Sequence, residues 1–138
     1  MAFAGVSYVA IVAAAAASFL FGGVWYGALS KQWMDAVGKS EADIKKTGMA
    51  VPMAITVVGL LVMAWVLAGI IGHLGPGRVT MWNGVVSAAL VWLGFVASTI
   101  AVNHAFQGAR PHLTLIDAGH WLGVLLIQGA IIGWIGVA

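Results

Sequence analysis

Two ionisable residues, Asp117 and His120, lie three positions apart in L-T-L-I-D-A-G-H-W, just inside the last long apolar run of the chain. A carboxylate and an imidazole can each take up and release a proton, and both are ligands for transition metals. At about 100° per residue, a helix places both side chains and Gln128 within an arc of roughly 80°. Charged groups are costly in apolar surroundings, so the pattern predicts a proton or ligand site on this face.

Further polar side chains lie at the ends of other apolar runs. Asn103 and His104 come near the end of the third run, and Tyr26 lies near the end of the first. If the runs cross one apolar layer in alternating directions, these ends meet Asp117 at the same depth. The candidate ligand-binding or proton-binding site therefore comprises Tyr26, Asn103, His104, Asp117 and His120.

Each candidate also has a structural explanation. Asp117 could satisfy backbone amides at the start of its helix or pair with Arg110. For His104 and His120, a hydrogen-bonded or interfacial ring is the favoured alternative. Asn103 is typical of hydrogen bonding between helices, and so is the deeper Gln128. The tryptophans fit an interfacial aromatic belt at four positions, namely Trp25, Trp33, Trp82 and Trp121.

The composition explains why these few polar groups stand out. Of 138 residues, 62% are hydrophobic and 7% are charged, with six basic and four acidic residues. A soluble domain usually carries about a quarter charged residues, so this chain must face membrane lipids. The absence of cysteine excludes disulfides and thiolate metal sites. Six basic residues are too few for a nucleic-acid interface, and no such partner is expected.

Four apolar runs are long enough to span a bilayer, which takes about 20 residues of helix. Backbone amides cannot remain unpaired in hydrocarbon, so each run is predicted to be an α-helix. The first run lacks the basic residues that open a secretory signal, and we expect it to be retained. We predict an all-α, four-helix bundle in a single integral membrane domain, 1–138, with spans at about 6–29, 51–71, 81–106 and 113–134.

The connection 30–50 is the only long polar one. Its segment S-E-A-D-I-K-K-T-G has Ser40 as an N-cap, acids early and lysines late, an order that complements a helix dipole. We predict two short interfacial helices in this connection. The second connection holds Arg78 alone, whereas the first and third share five basic residues, namely Lys31, Lys39, Lys45, Lys46 and Arg110. This bias predicts that the first and third connections are cytoplasmic and that both termini are outside.

Glycines recur at spacings that let membrane helices pack closely. The fourth run carries a glycine face opposite its polar face, so this helix is predicted to be central. If one of these two faces is not covered within the chain, we expect a second copy in a homo-oligomer, or a larger membrane complex, to cover it. On the third run, Thr99, Asn103 and Phe106 form one stripe. The predicted helix-packing residues are Gly22, Gly23, Gly27, Gly119, Gly123, Gly129 and Gly133.

Several short motifs together resemble a known family. F-G-G-V-W-Y-G and W-M lie in the first third, and N-H-A-F, L-I-D-A-G-H and Q-G-A-I-I-G follow later. They are similar to the bacterial membrane proteins grouped as domain of unknown function 1761, and the resemblance covers nearly the whole chain. It implies a small four-helix protein of the bacterial inner membrane without an assigned activity.

Three classes of function fit these residues. The first is a small-ligand or proton-coupled binding or transport bundle, in which Asp117 is the charge-bearing group of a cytoplasm-side polar pocket. The second is a membrane enzyme or redox subunit with a metal or haem held by His104, Asp117 and His120, although the repeated motifs of dedicated metal bundles are missing. The third is an accessory subunit of a larger complex. The common depth of the polar groups favours the first class, and we assign no catalytic residue and no cofactor.

Overall fold

The computed structural model describes residues 2–137 and shows four long apolar helices that could cross a membrane, joined by short helices. This confirms the predicted all-α class, and each span begins and ends within two residues of its predicted boundary. The elements in chain order are β1 (Ala2–Phe3), β2 (Val6–Ser7), α1 (Tyr8–Ala28), α2 (Ser30–Val37), α3 (Glu41–Thr47), α4 (Ala50–Gly72), α5 (Met81–Val91), a π-helical segment (Trp92–Ala97), α6 (Ser98–Gln107) and α7 (Pro111–Ile135). The third span is the continuous helix formed by α5, the π segment and α6.

The fourth span, α7, packs against α1, α4 and α5, in agreement with its predicted central position. Small side chains bring α1 and α4 together, because Ala10 and Ala14 on the one helix and Ala64 and Ala68 on the other are fully buried. Close approach of this kind is how membrane helices gain packing energy without a hydrophobic driving force.

The glycines of α7 do not form one contact face, as the sequence suggested, but two. Gly119 and Gly123 lie against aromatic rings of α1, whereas Gly129 and Gly133 lie against the backbone around the start of α5. At Gly129 the facing residue is Gly84, and an added Cβ on either glycine would overlap the other's backbone. The two backbones can be neighbours only because both residues lack a side chain.

A π-helical segment, Trp92–Ala97, interrupts the third span at mid-length. The span was predicted as a regular helix, and periodicity alone does not reveal a π turn. Before this segment, α5 packs closely on α7 and buries Gly84 and Ala88. After it, α6 contains no buried residue. The π segment therefore divides the third span into a packed half and a largely uncovered half.

A short hairpin precedes α1, where the apolar run alone predicted a continuous helix from residue 6. Ala2–Phe3 pairs with Val6–Ser7, and Gly5 has a φ of 85°, a left-handed conformation suited to glycine in a tight turn. Val6 also bridges to Val137, so the hairpin joins the two ends of the described chain. Helix α1 then begins with the Ser7 side chain accepting a hydrogen bond from the backbone N–H of Ala10.

The long connection contains the two predicted short helices, α2 and α3. Ser40 and Asp43 form a reciprocal capping box at the start of α3. Hydrogen bonds from the backbone and side chain of Ser40 lower the pKa of Asp43. Helix α2 is held over the start of α7, because Arg110 donates a hydrogen bond to the backbone carbonyl of Asp35.

Candidate functional site

The carboxylate of Asp117 lies where three helices meet near one end of the bundle. The Tyr26 hydroxyl of α1 donates a 2.7 Å hydrogen bond to Asp117 Oδ1. Nε2 of His104, on α6, lies 3.9 Å from the other carboxylate oxygen, Oδ2. The side chain of Asp117 is 23% exposed and that of His104 is 17% exposed. The structure thus brings together three of the five predicted site residues around one partly accessible acid.

The imidazole of His104 is oriented by a residue that the sequence analysis missed. Nδ1 of His104 hydrogen-bonds Oγ1 of Thr114 at 2.9 Å. This contact leaves Nε2 directed at Asp117, because the two ring nitrogens lie on opposite sides of the imidazole. Thr114 precedes Asp117 by three residues, so the two share a helix face, and that spacing was the available signal. Tyr26, Asp117, His104 and Thr114 form one polar chain, called here the Asp117 cluster.

His120 lies beside the Asp117 cluster, in an aromatic environment. Its ring centroid is 4.8 Å from that of Tyr26 and 4.6 Å from that of Trp121. The ring also rests on α1 at Gly22, where an added Cβ would lie 2.9 Å from Nε2. His120 is buried, and its Nδ1 has no hydrogen-bond partner among the described residues. The imidazole fills the space between α1 and α7 behind the tyrosine ring.

Asn103, the fifth predicted site residue, is not part of the Asp117 cluster. Its side chain is exposed, although its neighbour His104 turns inward. Ser98, Thr99, Val102 and Asn103 line a cleft of about 270 Å³ on the outer surface of α6. A helix sends adjacent residues about 100° apart, so Asn103 and His104 cannot both face the bundle core.

Two indole groups hold the backbone on either side of Asp117. Trp25 Nε1 of α1 donates to the Ile116 carbonyl at 3.1 Å, and Trp92 Nε1 of the third span donates to the Ala118 carbonyl at 2.8 Å. A helical carbonyl can accept a second hydrogen bond, because its oxygen has two lone pairs. Trp25 therefore packs and hydrogen-bonds against α7, and its place in an interfacial aromatic belt stays a prediction. Trp92 was not singled out in the sequence.

Deeper in the bundle, Gln128 joins α7 to two other helices, as its position suggested. Its Nε2 donates to Ser18 Oγ at 3.0 Å and to the Leu60 carbonyl at 3.1 Å. The amide is fully buried, and Oε1 has no partner among the described residues. This contact lies two turns beyond His120, with the buried Val124 between them.

The glycines of α1 are not equivalent. Gly22 accommodates the His120 ring, whereas a Cβ at Gly23 or Gly27 would meet no atom within 4 Å. Gly23 and Gly27 lie on an exposed surface, so neither forms a helix contact within the single chain. Any packing role for these two residues would involve another molecule.

The metal hypothesis finds no matching geometry. Within residues 2–137, no group of three or more histidine, cysteine, aspartate or glutamate side chains is placed to hold a metal ion. His104 and Asp117 are neighbours, but His120 rests against Gly22. The three predicted ligands therefore do not converge.

The suggested ion pair between Arg110 and Asp117 is replaced by another contact. Arg110 Nη1 lies 3.8 Å from Oδ1 of Asp35, and His112 Nε2 lies 3.4 Å from Oδ2 of the same carboxylate. Arg110 lies in the loop immediately before α7, where α2 passes over it. Among residues 2–137, the polar partners of Asp117 are thus Tyr26 and His104.

The helices and the Asp117 cluster define a class: a small multi-pass membrane protein with an acidic hydrogen-bonded site between three helices. Residues 9–133 match the family described as protein of unknown function DUF1761, and the chain belongs to that family. This confirms the resemblance seen in the motifs. No curated protein and no solved structure matches the chain.

Proposed function

We propose that this protein is a proton-coupled membrane bundle in which Asp117 is the group that binds the proton. Tyr26 and His104 are the positioning residues on either side of it. The observation that carries the proposal is the placement of one acid within a span, in contact with a tyrosine hydroxyl at 2.7 Å and an imidazole at 3.9 Å. Ionisable groups inside membrane spans are costly, and they commonly mark ion or proton pathways.

The two carboxylate oxygens of Asp117 have different partners, which supports a proton-binding role. Oδ1 accepts the hydrogen bond from Tyr26, so Oδ2 is the oxygen that faces His104. At 3.9 Å this second contact is too long for a direct hydrogen bond. A bridging water or a small movement of the imidazole would complete it. A proton on Nε2 could then pass to Oδ2, which changes the charge of both groups while the pair stays neutral overall.

The packing around Asp117 favours a proton over a larger ligand. Tyr26 and His104 occupy positions next to the carboxylate, and Thr114 in turn holds the His104 ring. Two shallow clefts in residues 2–137 lie away from Asp117, one on the outer face of α6 and one between α1 and α4. The latter, about 340 Å³ in volume, is lined only by apolar side chains and alanines.

We infer that the Asp117 cluster faces the cytoplasmic side of a bacterial inner membrane. The first and third connections, which carry five of the six basic residues, flank the same end of the bundle as Asp117. Positive residues in short loops favour the cytoplasmic side. The exposed group formed by Asp35, Arg110 and His112 also lies at this end.

The proposal is tested in proteoliposomes that contain a pH-sensitive dye, with a potassium diffusion potential as the driving force. Wild-type protein should admit protons faster than protein-free liposomes, and Asp117→Asn should abolish this flux while expression and membrane insertion persist. Asp35→Asn, which removes an exposed acid outside the spans, is the matched control and should retain the flux. Equal flux in wild type and Asp117→Asn would contradict the proposal. Failure of Asp117→Asn to accumulate would instead support a structural role for Asp117.

A further inference from the structure

A column of contacts runs from Asp117 toward the middle of the membrane along the interface of α1 and α7. Three residues of α1, spaced four apart on one side of that helix, each meet a polar side chain of α7. The pairs, called here the α1–α7 column, are Tyr26 with Asp117, Gly22 with His120 and Ser18 with Gln128. The last pair lies at the midpoint of α1, so the column covers about half of that span.

Two polar atoms of this column are buried without a hydrogen-bond partner. In residues 2–137 the buried side-chain atoms that lack a partner are Nδ1 of His120 and Oε1 of Gln128. The Gln128 amide cannot be turned round, because the Leu60 carbonyl beside its Nε2 accepts but does not donate. A buried polar atom without a partner costs about 1–3 kcal/mol. In native proteins such atoms are explained by a catalytic role, a bound ion or a bound water.

Packing alone does not explain the imidazole of His120. The residue is 6% exposed, and an apolar side chain could make the same contacts without burying an unpartnered nitrogen. Beyond it, the fully buried Val124 separates His120 from Gln128. His120 is therefore the innermost titratable group of the α1–α7 column.

The surroundings of His120 suit an imidazolium as well as a neutral ring. The ring centroids of Tyr26 and Trp121 lie 4.8 Å and 4.6 Å from that of the imidazole. Aromatic rings within about 6 Å attract a cation that lies over their faces. The titratable groups of the elements around it are Tyr26 of α1, Asp117 one turn earlier on α7 and, beyond that acid, His104 of α6. An ionised Asp117 would add an opposite charge nearby.

We propose that the proton route continues inward from Asp117 and that His120 is the second residue that carries the proton. The inference rests on the proposed function, because Asp117 supplies the proton. The O–H bond of protonated Asp117 breaks and an N–H bond forms at Nδ1 of His120, in the tautomer whose hydrogen is on Nε2. A carboxylate and an imidazolium result, one helical turn apart. Nδ1 has no partner in residues 2–137, so the Tyr26 hydroxyl or a water relays the proton.

Two measurements on the same variants separate this step from proton binding at Asp117. His120→Phe keeps an aromatic ring and His120→Asn keeps a polar side chain, but neither can take up a proton. In the proteoliposome assay each should lower the proton flux about tenfold or more. The infrared C=O band of protonated Asp117 should remain in both, whereas Asp117→Asn should lose the flux and the band together. Wild-type flux in either His120 variant would overturn the role of His120 and leave that of Asp117 intact.

His73→Phe is the matched control for these variants. His73 lies at the end of α4, on the opposite side of the bundle from Asp117, and its Nδ1 is hydrogen-bonded to the Gly69 carbonyl at 2.7 Å. The same substitution outside the α1–α7 column should retain the flux. A loss in His73→Phe as large as that in His120→Phe would show that the effect is not specific to the column, against the proposal.

Titration of the wild-type protein tests His120 without any substitution, even if the variants fail to accumulate. Solid-state NMR of histidine labelled with ¹⁵N distinguishes neutral from protonated imidazole nitrogens in lipid bilayers. His120 is the only one of the four histidines that tryptophan follows, so paired labelling of histidine and tryptophan assigns its signals. We expect the His120 nitrogens to become protonated as the pH falls from about 8 to about 4. A ring that stays neutral over this range would overturn the proposal.

Discussion

The hydrogen bond from Tyr26 to Asp117 joins α1 to α7 across 91 residues of sequence, at a distance of 2.7 Å. The donor belongs to the end of the first span and the acceptor to the start of the fourth. The position of the carboxylate therefore depends on how α1 and α7 pack. The same hydrogen bond in turn stabilises the packing of these two helices. Changes that affect this helix contact should affect both stability and the site.

Removal of the Tyr26 hydroxyl should weaken this contact directly. A hydrogen bond to a charged group contributes about 1.5–3 kcal/mol, and the partial exposure of Asp117 reduces the loss, so Tyr26→Phe should lower the free energy of unfolding by about 1–2 kcal/mol. Unfolding by sodium dodecyl sulfate in detergent micelles measures the difference. Tyr8→Phe, the corresponding change at the only other tyrosine, is exposed and should have no effect. Equal stability of Tyr26→Phe and wild type would show that the bond does not hold the helices together.

The glycine pair of α1 offers a comparison between adjacent positions. In Gly22→Ala the new methyl group would lie 2.9 Å from Nε2 of His120, whose ring is enclosed by Tyr26 and Trp121. We expect a destabilisation of about 1–3 kcal/mol from overpacking. Gly23→Ala meets no atom within 4 Å and should be neutral or slightly stabilising, since alanine is the better helix former. The same unfolding assay applies, and a harmless Gly22→Ala would contradict the observed ring position.

The backbone contact between α5 and α7 should be the least tolerant of change. Alanine at Gly84 or Gly129 would overlap a backbone atom of the opposite helix, and no flexible side chain can move to relieve it. Each variant should have a free energy of unfolding lower by more than about 3 kcal/mol, or should fail to accumulate in membranes. Gly94→Ala, on the same third span, meets nothing within 4 Å and is the control. Normal levels of all three variants by immunoblot would contradict this packing.

The indole hydrogen bonds beside Asp117 can be removed by substitutions that keep an aromatic, though smaller, side chain. Trp25→Phe and Trp92→Phe each delete one N–H donor to a carbonyl next to Asp117. Loss of this hydrogen bond should lower the free energy of unfolding by about 0.5–1.5 kcal/mol in each variant. Trp134→Phe, at a residue that is 73% exposed, should cost less than about 0.5 kcal/mol. If all three substitutions lower the free energy of unfolding by the same amount, the indole N–H groups do not stabilise this region.

Much of the architecture followed from hydropathy and helix signals. The four spans were predictable because no other structure satisfies backbone groups in lipid over runs of this length. The short helix α3 was predictable from the order of Ser40, acids and lysines. The hairpin before α1 and the π segment were not, since neither changes the apolar character of its run. The hairpin also depends on a contact with a distant element, the bridge between Val6 and Val137.

The site was predictable in depth but not in detail. Helix ends at one membrane face had to bring Tyr26, His104 and Asp117 to a similar level. Which side of α6 faces the bundle depends on the course of the third span after its π segment, and this decides that His104 points inward while Asn103 points outward. The roles of Thr114, Trp25 and Trp92 can be recognised only once their hydrogen-bond partners on other helices are known.

The most direct test of proton binding at Asp117 is a pH titration of the carboxylic-acid C=O stretch in infrared spectra of the protein in lipid nanodiscs. The chain has four acidic residues, and the other three, Asp35, Glu41 and Asp43, lie in the connection between the first two spans. We predict a titrating band that Asp117→Asn removes and that Asp35→Asn leaves in place. A set of bands unchanged by Asp117→Asn would show that Asp117 does not exchange a proton, and the proposed function would be wrong.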